Sequence, residues 1–235
     1  MSRIFVATLG FDERSIIRSL IRYNTFNPEE DSLLIIVPKN GLEDVRTKKA
    51  YEAILSVLKY SAKSEKIIDI SVIEVNVPVE KNSFENFMRS LVNIVKSIVS
   101  KKDEKYSSEI IFNVSGGMRV LVLLAILAAK IIHSKFPGLK IMLEMETEDR
   151  GMYIRVPIGL TDVSLSPREL TILEVIKDLR SASAKSVVER IGIPRTTFYY
   201  IIKGLIKRGF VAYKNRKYEI TDLGIIALEL SDLMR

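Results

Sequence analysis

Over its first 157 residues the chain alternates strand-length apolar runs with amphipathic helical stretches, and that rhythm leaves few ways to bury both kinds of element. Arg3–Thr8 is a β-branched and aromatic run that stops at Leu9-Gly10-Phe11. Asp12 can then cap a helix whose inner face is Ile16, Ile17, Leu20 and Ile21. Residues 33–37 read as a second strand closed by Pro38-Lys39-Asn40-Gly41, and 43–61 as a helix with Ala50, Ile54, Val57 and Leu58 inward. A third strand spans 67–75. Asn82 and Glu85 have capping-box spacing for the next helix, which turns Phe87, Leu91, Ile94, Val95 and Ile98 inward. The fourth strand, 109–114, leads through Ser115-Gly116-Gly117 into the apolar helix 118–133. Strands at 139–147 and 152–157 flank Glu148-Asp149-Arg150-Gly151, a hairpin signal.

Strands each followed by a helix predict an α/β, doubly wound fold, with helices on both faces of a mostly parallel sheet. The expected strand order is 3-2-1-4, with the hairpin as an antiparallel edge. The competing reading is an unrelated α/β arrangement with no central crevice.

The rhythm stops after Pro157-Ile158-Gly159-Leu160, so the expected boundary lies near residue 162, giving domains 1–162 and 163–235. Residues 163–235 hold 13 Lys and Arg against 8 Asp and Glu, whereas 1–162 hold 23 against 21. That excess suits a phosphate-bearing partner, although a solvated surface accounts for it equally well. Ser166-Pro167 opens a helix with Leu170, Leu173, Ile176 and Leu179 inward, and 183–191 forms a second, capped by Ser183. Gly192 stands at a sharp turn, Ile193 plugs the corner, and Pro194 starts a third helix carrying Phe198, Ile201, Ile202 and Leu205 inward.

That order sends a helix into the major groove of duplex DNA. Its start and outer face hold Arg195, Thr196, Thr197, Tyr199, Tyr200 and Lys203. Arg195 suits two parallel bonds to guanine, the threonines suit bases or phosphates, and the tyrosines suit phosphate or thymine methyls, with Tyr200 alternatively in the core. Residues 210–214 and 217–221 pair as a wing over Asn215-Arg216. Lys214, Arg216 and Lys217 at its tip address backbone phosphates, or are solvated turn charges. A last helix, 223–233, places Ile226, Ala227, Leu230 and Leu233 on one face, for the core or for a copy of itself. The whole resembles the winged-helix family typified by multiple-antibiotic-resistance and arsenic-resistance repressors, which implies double-stranded DNA as a partner.

Composition removes several other classes. No cysteine occurs and His133 is the only histidine, which excludes disulfides and zinc sites built on thiolates or several imidazoles. The longest apolar run, 120–129, has 10 residues between Arg119 and Lys130, too short to cross a bilayer. Met1-Ser2-Arg3 runs into the first strand with no secretory pattern, so a cytoplasmic protein without a membrane partner is expected.

In a doubly wound sheet, ligands bind beyond the strand ends where the order reverses, here between the first and fourth strands. The exit loops are Thr8-Leu9-Gly10-Phe11-Asp12 and Asn113-Val114-Ser115-Gly116-Gly117-Met118-Arg119. Gly116 and Gly117 expose backbone N–H groups at a helix start, which favours an anion, and Ser115 adds a hydroxyl. Arg119 opposes the helix dipole there, as a nearby phosphate explains, or solvent. Phe11 either stacks on a base or only packs, and Asp12 either shapes the pocket or only caps. Lys39 and Asn40 are placed on the rim. Neither G-x-G-x-x-G nor a Walker loop occurs, so NAD and ATP are poor candidates and no cofactor is expected.

With these two loops and the carboxy-terminal unit, nearly the whole chain resembles the CRISPR-associated transcriptional regulators that join a CARF domain to a winged helix-turn-helix. The resemblance places that family's first motif on Thr8, Leu9 and Gly10, and its second on Ser115, Gly116, Gly117 and Arg119. It implies a homodimer whose two crevices join, a cyclic oligoadenylate as regulatory ligand, most often cyclic tetra-adenylate, and promoters of CRISPR adaptation or interference genes. Some CARF domains cleave that ligand through its own ribose 2′-hydroxyl. No histidine or paired carboxylate is evident at either loop, so binding is favoured over turnover, with a ring nuclease as the alternative.

Overall fold

The computed structural model describes residues 2–22, 26–61, 68–77, 83–105, 107–147, 152–161 and 165–233. The chain divides into two compact units, Met1–Ile158 and Gly159–Arg235.

The first unit runs β1 (Arg3–Thr8), α1 (Arg14–Arg22), β2 (Ser32–Pro38), α2 (Val45–Ser61), β3 (Asp69–Val75), α3 (Ser83–Lys105), β4 (Glu109–Asn113), α4 (Arg119–Lys135), β5 (Lys140–Glu146) and β6 (Tyr153–Pro157). The sheet order is β3-β2-β1-β4-β5-β6, with β6 alone antiparallel, against β5. This is the doubly wound sheet with an antiparallel edge that the sequence predicts. Both faces of β1, β2 and β4 are covered, which is why these strands read as unbroken apolar runs. Alternate residues serve opposite cores. Ile4, Val6, Leu34, Ile36, Ile110 and Phe112 pack with α3 and α4, through Leu91, Ile94, Leu121 and Leu124. Phe5, Ala7, Leu33, Ile35 and Ile111 pack with α1 and α2, through Ile16, Leu20, Ala50 and Ile54. At about 1.5–3 kcal/mol for each large apolar side chain buried, these two layers dominate the unit's stability.

The differences from expectation lie at element ends. Ile21 is exposed, so the inner face of α1 is narrower than its periodicity suggests. A 3-10 turn, Gly41–Glu43, precedes α2, and Asp44 caps it by accepting the N–H groups of Arg46 (2.9 Å) and Thr47 (3.1 Å). The expected cap at Asn82, the turn 148–151 and residue 162 lie outside the described residues. On the edge hairpin, fully buried Glu144 meets Arg155 of the facing strand at 3.3 Å.

The second unit contains α5 (Pro167–Leu179), α6 (Ala184–Ile191), α7 (Arg195–Lys207), β7 (Val211–Lys214), β8 (Lys217–Ile220) and α8 (Asp222–Leu233). Capping boxes start α5, from Ser166 and Glu169, and α6, from Ser183 and Ser186. Gly192 ends α6 at φ 73°, the left-handed conformation that lets α7 leave at once. Asn215 and Arg216 join β7 to β8 at φ 51° and 63°, the pair of positive values a two-residue type I′ hairpin requires. Leu170, Leu173, Ile176, Val187, Phe198, Ile202, Leu205 and Phe210 form the core. In α8 Ala227 and Leu228 are buried in the core, while Ile226 and Leu230 stay exposed, so of the expected face only Ala227 serves the core among these.

Candidate ligand crevice and nucleic-acid interface

Beyond the carboxyl ends of β1 and β4, neighbours at the reversal of strand order, two loops meet backbone to backbone. A Cβ on Gly10 would fall 3.0 Å from the Cα of Gly117, and one on Gly117 would fall 3.1 Å from the Cβ of Thr8. Gly117 also adopts φ 87°, so glycine is required there on two counts. The fully buried Thr8 hydroxyl donates to the Gly116 carbonyl. Leu9 is equally buried, so Thr8 and Leu9 build the floor beneath the site. Asn113, also buried, accepts the Ser115 N–H at 3.1 Å and donates its amide to the Ser15 carbonyl at 3.4 Å. Ser115 in turn accepts the Glu146 N–H at 2.7 Å, tying the β4 exit to the edge strand.

Above this floor opens a cavity of about 1180 Å³. Gly10, Phe11, Asp12, Gly116, Gly117 and Met118 line it, as the two loops predict. Lys39, Asn40 and Arg119 are exposed but do not line it. Pro38 and Gly41 of the same loop do line it, and Asn40 between them adopts φ 58°. Met118, the N-cap of α4, lines the cavity, whereas Arg119, the next residue, does not.

Sequence reasoning missed Ser15, Arg18, Asp44, Thr47, Glu146 and Thr147, which also line the cavity. Arg18 and Glu146 pair at 2.9 Å although they are distant in the chain. The spacing of Ser15 and Arg18 on one turn of α1 is a signal that could have shown them; nothing local marks Glu146. The hydrogen bond to Glu146 is the main cause that raises the Arg18 pKa above its ordinary value. The Thr47 N–H chiefly holds the Asp44 carboxyl below the usual range, so it stays ionised. Phe11, 60% exposed, carries the Arg46 guanidinium 3.8 Å from its ring centroid. Asp12 accepts the N–H of Arg14, the first residue of α1, and also lines the cavity, so its two expected roles coexist. Among the described lining residues the ionised side chains are Asp12, Asp44, Glu146 and Arg18, of which Glu146 pairs with Arg18, and α4 starts there without a side-chain cap, the kind of helix end that favours an anion.

In the second unit Arg195, Thr196, Tyr199, Tyr200 and Lys203 are exposed on α7, and Thr197 is half-buried. Tyr200 is 82% exposed, which rules out its place in the core. Lys214, Arg216 and Lys217 are exposed on the wing. Tyr213, half-exposed beside them, was not anticipated; it pairs across the hairpin with buried Tyr218.

A Rossmann-like unit with a crevice at its strand-order reversal, followed by a winged helix-turn-helix, defines the class. Residues 3–157 match the family model of the Csa3 CRISPR-associated Rossmann-like domain, and the chain belongs to that family. Residues 160–222 match the sugar-specific transcriptional regulator TrmB, so the winged helix is of TrmB type. Among solved structures, the chain is similar to Enterococcus italicus Csm6 bound to cyclic hexa-2'-fluoro-hexa-dAMP, with 10% identity and a TM-score of 0.49. That match covers 100% of this chain and 53% of the other, so the chain spans about half the length of the structure it matches. No curated protein matches the chain. Among the described residues, no helix is long and apolar enough to cross a membrane.

Proposed function

We propose that the protein is a ligand-responsive transcriptional regulator of CRISPR genes. In this reading residues 1–162 sense a cyclic oligoadenylate, foremost cyclic tetra-adenylate, and residues 163–235 bind promoter DNA, with the protein acting as a homodimer. The supporting observation is the cavity floored by the backbone of Gly116 and Gly117 at the start of α4, in a chain that also carries a winged helix with an exposed basic recognition face. A volume of about 1180 Å³ exceeds the usual range for drug-sized ligands and suits an oligonucleotide ring. The carboxylates of Asp12 and Asp44 suit its donors, the adenine amino groups and ribose hydroxyls.

The exposed apolar side chains of Met118 at the N-cap of α4, Leu123 and Ile131 on α4, Met145 on β5 and Ile154 on the edge strand β6 support dimerisation. Met118 belongs both to this surface and to the cavity lining, so a second copy seated there brings two cavities together. A cyclic tetranucleotide can share the resulting two-fold axis.

Fluorescence anisotropy of duplexes from upstream of CRISPR genes, titrated with and without cyclic tetra-adenylate, tests the reading. Selective duplex binding that shifts with ligand is expected. Indifference to both duplex sequence and ligand overturns it, and accumulation of linear oligoadenylate in the same samples favours the ring nuclease.

A further inference from the structure

The recognition helix and the wing meet through a chain of aromatic rings, of which only Tyr199 is among the expected DNA contacts. Tyr199 lies edge-on to Phe198 with centroids 5.6 Å apart, Phe198 lies edge-on to Tyr218 at 5.4 Å, and Tyr218 contacts Tyr213 at 4.8 Å. Phe198 and Tyr218 are buried and fix the geometry, whereas Tyr199 and Tyr213 are 51% and 54% exposed at the two ends. We propose that Tyr199 and Tyr213, held apart by Tyr218 and Phe198, form a neutral clamp for one DNA backbone phosphate in the seam between α7 and the wing. This deepens the DNA-binding reading above and rests on it.

Several observations point the same way. A phenol hydroxyl is a donor at neutral pH, and a phosphate oxygen accepts such a bond strongly because it is charged. Burial first, then the proximity of Tyr199 and Tyr213, raises the Tyr218 pKa, so Tyr218 stays protonated. Cations flank the seam: Arg195 precedes Tyr199 by one helical turn, Lys203 follows it by one, and Lys214 and Lys217 adjoin Tyr213 and Tyr218 on the wing. The carboxylate next along β8, Glu219, lies near the Ser181 hydroxyl at 3.5 Å. The seam therefore has donors aligned between positive charges, with rigidity supplied by the buried rings rather than by flexible stems.

A neutral donor leaves a distinctive trace. It strengthens binding without releasing a counterion, so its removal weakens affinity while leaving the salt slope unchanged. The test is anisotropy of the full chain on a duplex that the wild type binds, repeated over a salt series for Tyr199→Phe, Tyr213→Phe and Lys214→Ala. Each phenylalanine variant keeps its ring and is expected to bind roughly five- to ten-fold more weakly with an unchanged slope. Lys214→Ala is expected to flatten the slope by about 0.9, the share of one phosphate that the lysine no longer neutralises. A duplex with one methylphosphonate at the clamped phosphate should weaken wild type yet cost the phenylalanine variants little more. Wild-type affinity in both phenylalanine variants, or a weakening matched by reduced thermal stability, overturns the clamp alone. Failure of the wild type to bind any duplex overturns the DNA reading with it.

Discussion

Alanine at position 117 tests whether the two loops of the crevice meet as described. The substitution has two separable costs. At φ 87° an L-residue sits in the left-handed region, which disfavours it by about 1–2 kcal/mol. The new methyl also lies 3.1 Å from the Thr8 Cβ and 3.2 Å from its carbonyl atoms, which belong to a buried strand end and cannot rotate aside. Such overpacking adds about 1–3 kcal/mol, so Gly117→Ala should destabilise the first unit by about 2–5 kcal/mol. Gly192→Ala supplies the control: φ is 73° but nothing lies within 4 Å of the new Cβ, leaving only the conformational cost of about 1–2 kcal/mol. Urea unfolding of the full chain followed by circular dichroism measures both, each on the transition of its own unit. Calorimetry with cyclic tetra-adenylate should show weakened binding for Gly117→Ala and none of that effect for Gly192→Ala. If Gly117→Ala is no less stable than Gly192→Ala, the crowding against Thr8 is not real and the crevice floor is built in another way.

Three further outcomes can be checked. Arg195→Ala should lower operator affinity by about 1–3 kcal/mol and relax preference at one base position, read by selection from a randomised duplex pool. Glu146→Gln should release Arg18 towards a ligand phosphate and tighten cyclic tetra-adenylate binding, whereas Arg18→Ala should weaken it by leaving the Glu146 carboxylate uncompensated; calorimetry that finds the same sign for both would refute the pairing argument. Burial raises the Asp69 pKa, but the hydrogen bonds from Ser32 and Lys101 outweigh it and leave the folded-state value below the unfolded one, near 3.9. That contribution is therefore present above about pH 4 and is lost as pH falls through the folded-state value, so urea midpoints should drop on acidification less steeply for Asp69→Asn than for wild type.

The doubly covered sheet was legible because β1, β2 and β4 carry unbroken apolar runs, 4–7, 33–37 and 110–112, and only a sheet covered on both faces asks for that. The glycine loops were legible for a related reason: strand exits rich in glycine announce close backbone approach, and Gly10 does meet Gly117. Glu146 was not, since its pairing with Arg18 exists only once β5 has joined β4 and α1 packs beside them. Lys39 and Arg119 fit the loops in sequence and are exposed, but neither lines the cavity. In the second unit nothing in the local pattern singles out Tyr213 or Tyr218. Their meeting with Phe198 depends on how the hairpin lies against α7, which no local periodicity encodes.

At the outermost point of the wing, Arg216 occupies φ 63°, where glycine is the ordinary occupant of a type I′ turn. An arginine there holds the backbone in a conformation disfavoured by about 1–2 kcal/mol, within a hairpin of only four residues a side. Glycine would relax that turn and erase the outermost cation. The turn thus keeps a charge at the expense of its own stability, and glycine at this site would give a less strained turn with one cation fewer.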